Sequence, residues 1–314
     1  MLRRICEEAG VPELVEILAD RVSGSDLQSL MMEVYARRSK ARPLSSIFQD
    51  FSVNGFSRPS AISPQTFLEF DQKAFAIAQP PFQAIELSPL CPLGTIAGLT
   101  PVSQDKAIAT MRNLEVVSDS TNALALECSL RRRAAPRDEV IKLCASHRLV
   151  RPAGNRKPGD LAHFRMFGMC TAGRDKGSFE FERAAVIEQV GILMSIVRAV
   201  AGGSAAEWRV TLTDFSGTRA AAIEELIGDL SGLLDDVKVH EDTARTRGRG
   251  YYDPICFEIL CRSGDEEYSI ADGGFTDWTQ RLLNDRKERL LIAGLGSERV
   301  CSIFGIAQMI SRRR

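Results

Sequence analysis

The periodicity of the apolar residues after Phe179 constrains the fold of this 314-residue chain more than any other feature. Val186, Val190, Leu193, Val197 and Val200 recur at spacings of four and three, which marks one buried helix face. Gly202-Gly203 stops that helix. Trp208 to Thr213 then alternates with period two, as a half-buried strand does. A second helix is expected over about Thr218 to Leu234. Two antiparallel strands follow, Ile255 to Cys261 and Glu267 to Ala271, joined across Arg262-Ser263-Gly264-Asp265. A third strand, Leu290 to Ala293, leads into a helix beginning near Ser297. Strands in pairs with long helices interposed predict an α+β fold, an antiparallel β-sheet flanked by helices, and not an alternating Rossmann pattern. In agreement, neither GxGxxG nor GxxxxGK[ST] occurs.

The N-terminal third is less regular. Residues 1–60 read as a helical, partly amphipathic extension. Leu14, Val15, Ile17 and Leu18 form one apolar face, and Leu27, Leu30, Met31, Val34 and Tyr35 form another. Ser23-Gly24-Ser25-Asp26 supplies a turn and an N-cap between them. A Pro/Ser-rich passage, Arg58 to Pro64, reads as a linker, and a short helix is expected over Thr66 to Ala78. From Phe82 to Ser129 the chain shows brief β-like runs, Ala84 to Leu87 and Leu124 to Leu126, punctuated by Pro and Gly.

Composition narrows the class. With 44% hydrophobic residues and 40 basic against 41 acidic side chains, the chain is globular in composition, neither disordered nor collagen-like. A net charge of −1 supplies no long-range attraction for a polyanion. The eight cysteines form no CxxC pair and no disulfide framework. Cys144, His147, His163 and Cys170 are the nearest approach to a zinc-ligand cluster, and they read instead as buried thiols and surface or capping histidines. MLRRICEEAG is not a secretory signal, and the uncharged run Gln189 to Val197 is too short to cross a bilayer. A cytoplasmic protein without a membrane partner is therefore expected.

Four segments carry chemistry when taken in order. Leu124-Ala125-Leu126-Glu127-Cys128-Ser129 reads as a strand running into a glutamate. Arg151 precedes a Gly/Pro/Lys loop that leads to His163-Phe164-Arg165-Met166-Phe167-Gly168. Arg247-Gly248-Arg249-Gly250-Tyr251-Tyr252-Asp253 leads into Cys256-Phe257-Glu258 and later Ala271-Asp272-Gly273-Gly274-Phe275. Gly294-Leu295-Gly296-Ser297-Glu298-Arg299 closes the set.

This ordered set resembles the catalytic core of the class II aminoacyl-tRNA synthetases, and within them the histidyl-tRNA synthetase branch, over roughly residues 60 to 310. The resemblance implies domains at 1–60 (extension) and 61–314 (catalytic core), with no anticodon-binding domain, as in a paralogue of the synthetase. It implies ATP and Mg2+ as cofactors, a small amino or carboxylic acid as substrate, and a homodimer. By the same resemblance, Arg151 holds the α-phosphate, Phe164 stacks on adenine, and Glu298 and Arg299 stand at the distal phosphates. Arg247 sits at the reacting carboxylate, and Glu127 takes the substrate ammonium beside Ser129. Tyr251, Tyr252, Gly273 and Gly274 belong to the amino-acid pocket. Fixed guanidiniums suit such a reaction, because they remain charged and bind phosphate in a bidentate fork.

The departures are specific. Pro152-Ala153 follow Arg151 where the family has Arg-x-Glu, and the loop is one residue longer, which leaves Arg156 as an alternative for Arg151. Met166 and Cys170 occupy the places of a glutamine and a glutamate that bind histidine, and Thr276 that of a tyrosine. An imidazole nitrogen left unpaired among such residues costs about 1–3 kcal/mol, so a smaller or more apolar ligand is expected. Arg131-Arg132-Arg133, Arg245 to Arg249 and Arg312-Arg313-Arg314 are basic clusters read as solvated faces, which makes a full tRNA interface doubtful. Two functions fit: an adenylate-forming ligase that hands its product to a small acceptor or a carrier protein, or a non-catalytic regulatory subunit of the histidine-biosynthesis type, acting on a partner enzyme.

Overall fold

The computed structural model describes residues 1–152, 161–204 and 206–304. Helices α1 (Leu2–Glu8), α2 (Leu14–Glu16), α3 (Gly24–Lys40) and α4 (Leu44–Val53) form the N-terminal extension. The remainder runs α5 (Pro64–Ala78), β1 (Gln83–Ala84), β2 (Leu90–Pro92), α6 (Thr95–Leu99), β3 (Leu114–Val116), α7 (Ser120–Ala134), β4 (Ile141–Val150) and β5 (His163–Arg174). Then follow α8 (Glu180–Ala201), β6 (Glu207–Asp214), α9 (Ala220–Leu233), β7 (Val237–Glu241), β8 (Ile255–Ser263), β9 (Glu266–Thr276), α10 (Trp278–Leu283), β10 (Glu288–Leu295) and α11 (Ser297–Ile303).

Eight strands make one sheet in the order β1-β4-β5-β10-β9-β8-β6-β7. The six central strands are antiparallel, as the paired-strand pattern predicts, and a parallel strand is added at each edge. The period-two alternation sorts side chains between two faces. Phe167, Met169, Phe257, Ile259, Leu291 and Leu295 face one core with the apolar rows of α5, α8 and α9. Cys170, Ala172, Cys256, Leu290 and Ile292 face the other, covered by Leu124, Ala125 and Cys128 of α7 and by Trp278 of α10.

At 22 residues, α8 is long and apolar enough to cross a membrane. Its Val186, Val190, Leu193 and Val197 row is instead fully buried in the core, with Gly202 ending the helix in the left-handed region. In the extension, Ser23 caps α3 by accepting from the Asp26 amide. The apolar faces expected there stay largely open, with Leu30, Val34 and Tyr35 exposed. The extension is tied to the core by Asn113, whose side chain donates to the Gly24 carbonyl at 3.1 Å, and by the Ala162 amide donating to the Gly55 carbonyl at 2.8 Å.

Leu124 to Ser129 is a correction: it lies within α7 and is not a strand. The alternating Ala-Leu-Ala-Leu imitates a strand, but the buried positions Leu124, Cys128 and Arg132 repeat every four residues. The helix is pinned at its C-terminal end by a buried ion pair. Arg132 Nε and Nη2 donate to the two carboxylate oxygens of Glu288 on β10 at 3.0 and 2.9 Å, and both side chains are under 5% exposed. Carbonyls of Pro136, Arg137 and Glu139 satisfy the remaining guanidinium protons. Arg132→Ala leaves the Glu288 charge buried with only the more distant Arg174 Nη1, 3.7 Å away, as an ionic partner. A loss of about 3–5 kcal/mol in urea unfolding is expected.

Candidate functional site

A cleft of about 740 Å³ opens on the α7 side of the sheet, floored by Met166, Ile292 and Gly294 and rimmed by arginines. Arg151 follows β4, its backbone held by the Ala162 carbonyl at 2.8 Å. Its Nη2 donates to the Ser118 carbonyl at 3.0 Å and to Asp119 at 3.3 Å. Asp119 is the N-cap of α7, accepting from the Thr121 amide at 3.0 Å, so the helix itself places this carboxylate in the cleft.

The loop before β8 supplies the opposite wall. Tyr251 donates to Asp119 at 3.4 Å and Tyr252 to Asp272 at 3.3 Å, while their rings meet edge-on with centroids 5.0 Å apart. Burial pushes both phenols well above their usual range, so they remain neutral donors. Gly274 is required here, since a Cβ would come within 2.6–2.7 Å of the Tyr252 ring. Arg247 pairs with Glu258 and donates to Ser269 at 3.2 Å. Behind it, Arg245 is 3% exposed; its Nε donates to the Arg247 carbonyl at 2.9 Å, and its terminal nitrogens stand 3.5 Å from Glu258 and Asp272. Burial raises the Asp272 carboxyl pKa, with Arg245 and Arg247 pulling it back. Arg299, in the first turn of α11, donates to the Ser269 carbonyl.

The cleft therefore gathers Lys106, Arg151, Arg247, Arg249 and Arg299 against two lining carboxylates, Asp119 and Asp272. That excess of cations suits an anionic ligand, and the two carboxylates leave a place for a substrate ammonium. Among the described residues no group of three or more His, Cys, Asp or Glu could hold a metal.

Of the residues singled out in the sequence, Arg151, Met166, Arg247, Tyr251, Tyr252 and Arg299 line this cleft together. Phe164 lies beside it with the Arg151 guanidinium 5.2 Å over its ring. Gly273 is locked in β9, where a Cβ would strike the Ile292 carbonyl at 2.5 Å. Others fall elsewhere. Glu127 points along α7 to Arg131 at 2.7 Å, and the Ser129 hydroxyl donates to the Ala125 carbonyl. Neither lines the cleft, because a helix carries them away from the position a strand would give. Cys170 is sealed beneath α7, its Sγ 3.7 Å from the Thr121 carbonyl. Thr276 is buried at the end of β9, beside two neighbouring cavities. Glu298 turns to the opposite side of the sheet, toward Arg165, Arg148 and Ser60. Cys144 and Cys170 face different cores. Arg156 and Arg312 to Arg314 lie outside the described residues.

Asp119, Thr121 and Asn122 are cleft residues that sequence reasoning passed over, and Asp272, within the Ala271 to Phe275 segment, was given no role there. For the first, the signal was present: Asp-Ser-Thr ahead of a 3.6-residue apolar period is an N-cap signature.

No family model and no curated protein sequence matches this chain. Solved structures do. Histidyl-tRNA synthetase from S. aureus superposes with a TM-score of 0.58 at 15% identity, covering 82% of this chain and 72% of that one. A structure described as an ATP phosphoribosyltransferase regulatory subunit/histidyl-tRNA synthetase from Bacillus halodurans gives 0.57 at 15% identity, over 79% and 82%. A histidine–tRNA ligase subunit from Alicyclobacillus acidocaldarius gives 0.56 at 13%, over 79% and 97%. The fold is thus that of the class II aminoacyl-tRNA synthetase catalytic core. Histidyl-tRNA synthetases and a threonyl-tRNA synthetase from Cryptosporidium parvum are among the solved structures that share it.

Asp119 has a structural duty separable from its charge. Asp119→Ala removes the α7 cap and is expected to lower stability by about 1 kcal/mol, whereas Asp119→Asn keeps an acceptor and stays within a few tenths. Urea denaturation of both variants checks this.

Proposed function

We propose that the cleft binds ATP together with the carboxylate of an amino or related acid and joins them as an acyl adenylate, releasing pyrophosphate. The observation that carries this reading is the convergence of Arg151, Arg247 and Arg299 on one cleft with Asp119 beside them. A carboxylate oxygen attacks the α-phosphorus and the bond to the bridging β-phosphate oxygen breaks. Negative charge builds on the α-phosphate and on the departing pyrophosphate. Guanidiniums already fixed by Ser118, Asp119, Glu258 and Ser269 oppose that charge without reorganising.

In this reading Arg151 faces the α-phosphate, Arg247 the reacting carboxylate and Arg299 the distal phosphates. Asp119 takes the substrate ammonium in place of Glu127. Magnesium brought in with the triphosphate would offset its charge, and the described residues offer no cluster of three or more metal-binding side chains to hold the ion by themselves. Met166 stands in the cleft where the resemblance places a histidine-binding glutamine, and Cys170, in the place of the glutamate, is sealed beneath α7, which favours an acid smaller or more apolar than histidine.

A second reading, a regulatory subunit that binds a ligand without chemistry, is favoured by one contact. Arg151 is folded onto Phe164 and held by Asp119, where an adenine would need the ring.

ATP–pyrophosphate exchange across a panel of amino acids separates the two. Exchange with at least one acid, lowered about 10²-fold or more by Arg299→Ala, is the expected result. Silence across the panel, with ATP failing to raise the thermal midpoint, removes the first reading.

A further inference from the structure

Glu298 stands next to Arg299 in α11, yet its carboxylate lies on the far side of the sheet from the cleft and collects three donors from three segments. The Arg165 amide donates to it at 2.9 Å, Arg148 Nη1 at 3.3 Å, and the Ser60 hydroxyl donates to its other oxygen. The β5–β10 ladder begins at Phe167 opposite Leu295. The Arg165 amide therefore lies beyond the last strand partner, and Glu298 satisfies it. Successive helical residues project about 100° apart, so fastening Glu298 on one side fixes where Arg299 emerges on the other. Buried Val300 and Cys301 pack the seven-residue α11 on the core, and Glu298 adds the polar tie at its first turn.

The segment that supplies Ser60 reaches the second arginine as well. The Gly55 carbonyl accepts from the Ala162 amide, and the Ala162 carbonyl accepts from the Arg151 amide, both at 2.8 Å. Between them, His163 joins the same segment to β4: its Nε2 donates to the Arg58 carbonyl at 2.6 Å and its Nδ1 accepts from Arg148 at 2.8 Å. Residues 55–60, where the N-terminal extension meets the core, thus underlie both Arg151 and Arg299.

We infer that Glu298 and Ser60 are positioning residues for Arg299, and that the Gly55–Ser60 segment fixes the spacing of the two arginines across the cleft. The effect on ligand binding rests on the proposed ATP reading; the effect on α11 does not. Amide hydrogen exchange on the full-length, ligand-free chain reads the second directly. Glu298→Ala is expected to raise exchange at least about tenfold in residues 161–168 and 297–303, Ser60→Ala in 297–303 alone, and Glu298→Gln, whose amide oxygen still accepts from the Arg165 amide while its NH2 donates to the Ser60 hydroxyl oxygen, in neither. ATP titration then reads the first: Glu298→Ala weakens ATP at least about tenfold and Glu298→Gln restores affinity to within about threefold, although position 298 does not line the cleft.

Unchanged exchange in both Glu298→Ala and Ser60→Ala overturns the inference, as does loosened α11 with wild-type ATP affinity in Glu298→Ala. Failure of the wild type to bind ATP overturns the reading of the cleft while the exchange result still decides the positioning. Should Glu298→Ala not fold, Ser60→Ala alone decides it by the same two measurements.

Discussion

The buried pair between Arg132 and Glu288 locks α7 onto the sheet, and the cleft depends on where that helix lies. Isolated, either charge would be costly to bury; together, with three carbonyls completing the guanidinium's bonds, they fix the helix at its C-terminal end. The small residues of the sheet let the other end approach. Gly168 lies so close beneath Ser120 that a Cβ would be 2.5 Å from its hydroxyl. With both ends set, the N-cap Asp119 is delivered beside Arg151 and Tyr251, at the margin of the sheet face on which Met166 and Ile292 lie.

The arginines are organised by the same economy of partners. Arg247 is held by Glu258 and Ser269, Arg151 by Ser118 and Asp119, and Arg299 by the Ser269 carbonyl. Each is oriented by an acceptor yet remains part of the cleft wall, and Arg247 is 63% exposed in its side chain. A pre-set cationic array of this kind favours charge that develops on a ligand during reaction over charge already present in water. The two tyrosines, kept neutral by burial, donate hydrogen bonds to Asp119 and Asp272 and hold both carboxylates in place.

Much of this was legible in the residues. The helix expected after Phe179, the strands expected at Trp208–Thr213, Ile255–Cys261, Glu267–Ala271 and Leu290–Ala293, and the helix expected near Ser297 each fall within an observed element. The paired strands also indicated an antiparallel sheet, although the parallel edge β1 was hinted at only by the β-like run Ala84 to Leu87 and the edge β7 was not read. The Arg-Gly-Arg-Gly-Tyr-Tyr run and the Gly-x-Gly-Ser-Glu-Arg run both supply residues that line the cleft. What failed was α7, which precedes both runs. Leu124 to Leu126 alternates like a strand over a few residues, and only the longer register with Arg132 and the Asp119 cap reveals a helix. Glu127 was misplaced for that reason, and Asp119, eight residues upstream, was passed over. Glu298 was misassigned differently: sequence adjacency to Arg299 suggested a shared ligand, whereas a helix turns adjacent side chains apart.

The most direct test of the account is a crystal structure of the chain with ATP bound. Density for the triphosphate in the α7-side cleft, its α-phosphate within hydrogen-bonding reach of Arg151 and its distal phosphates against Arg299, is what the account predicts. Triphosphate density outside that cleft, or an empty cleft at millimolar ATP, would contradict it.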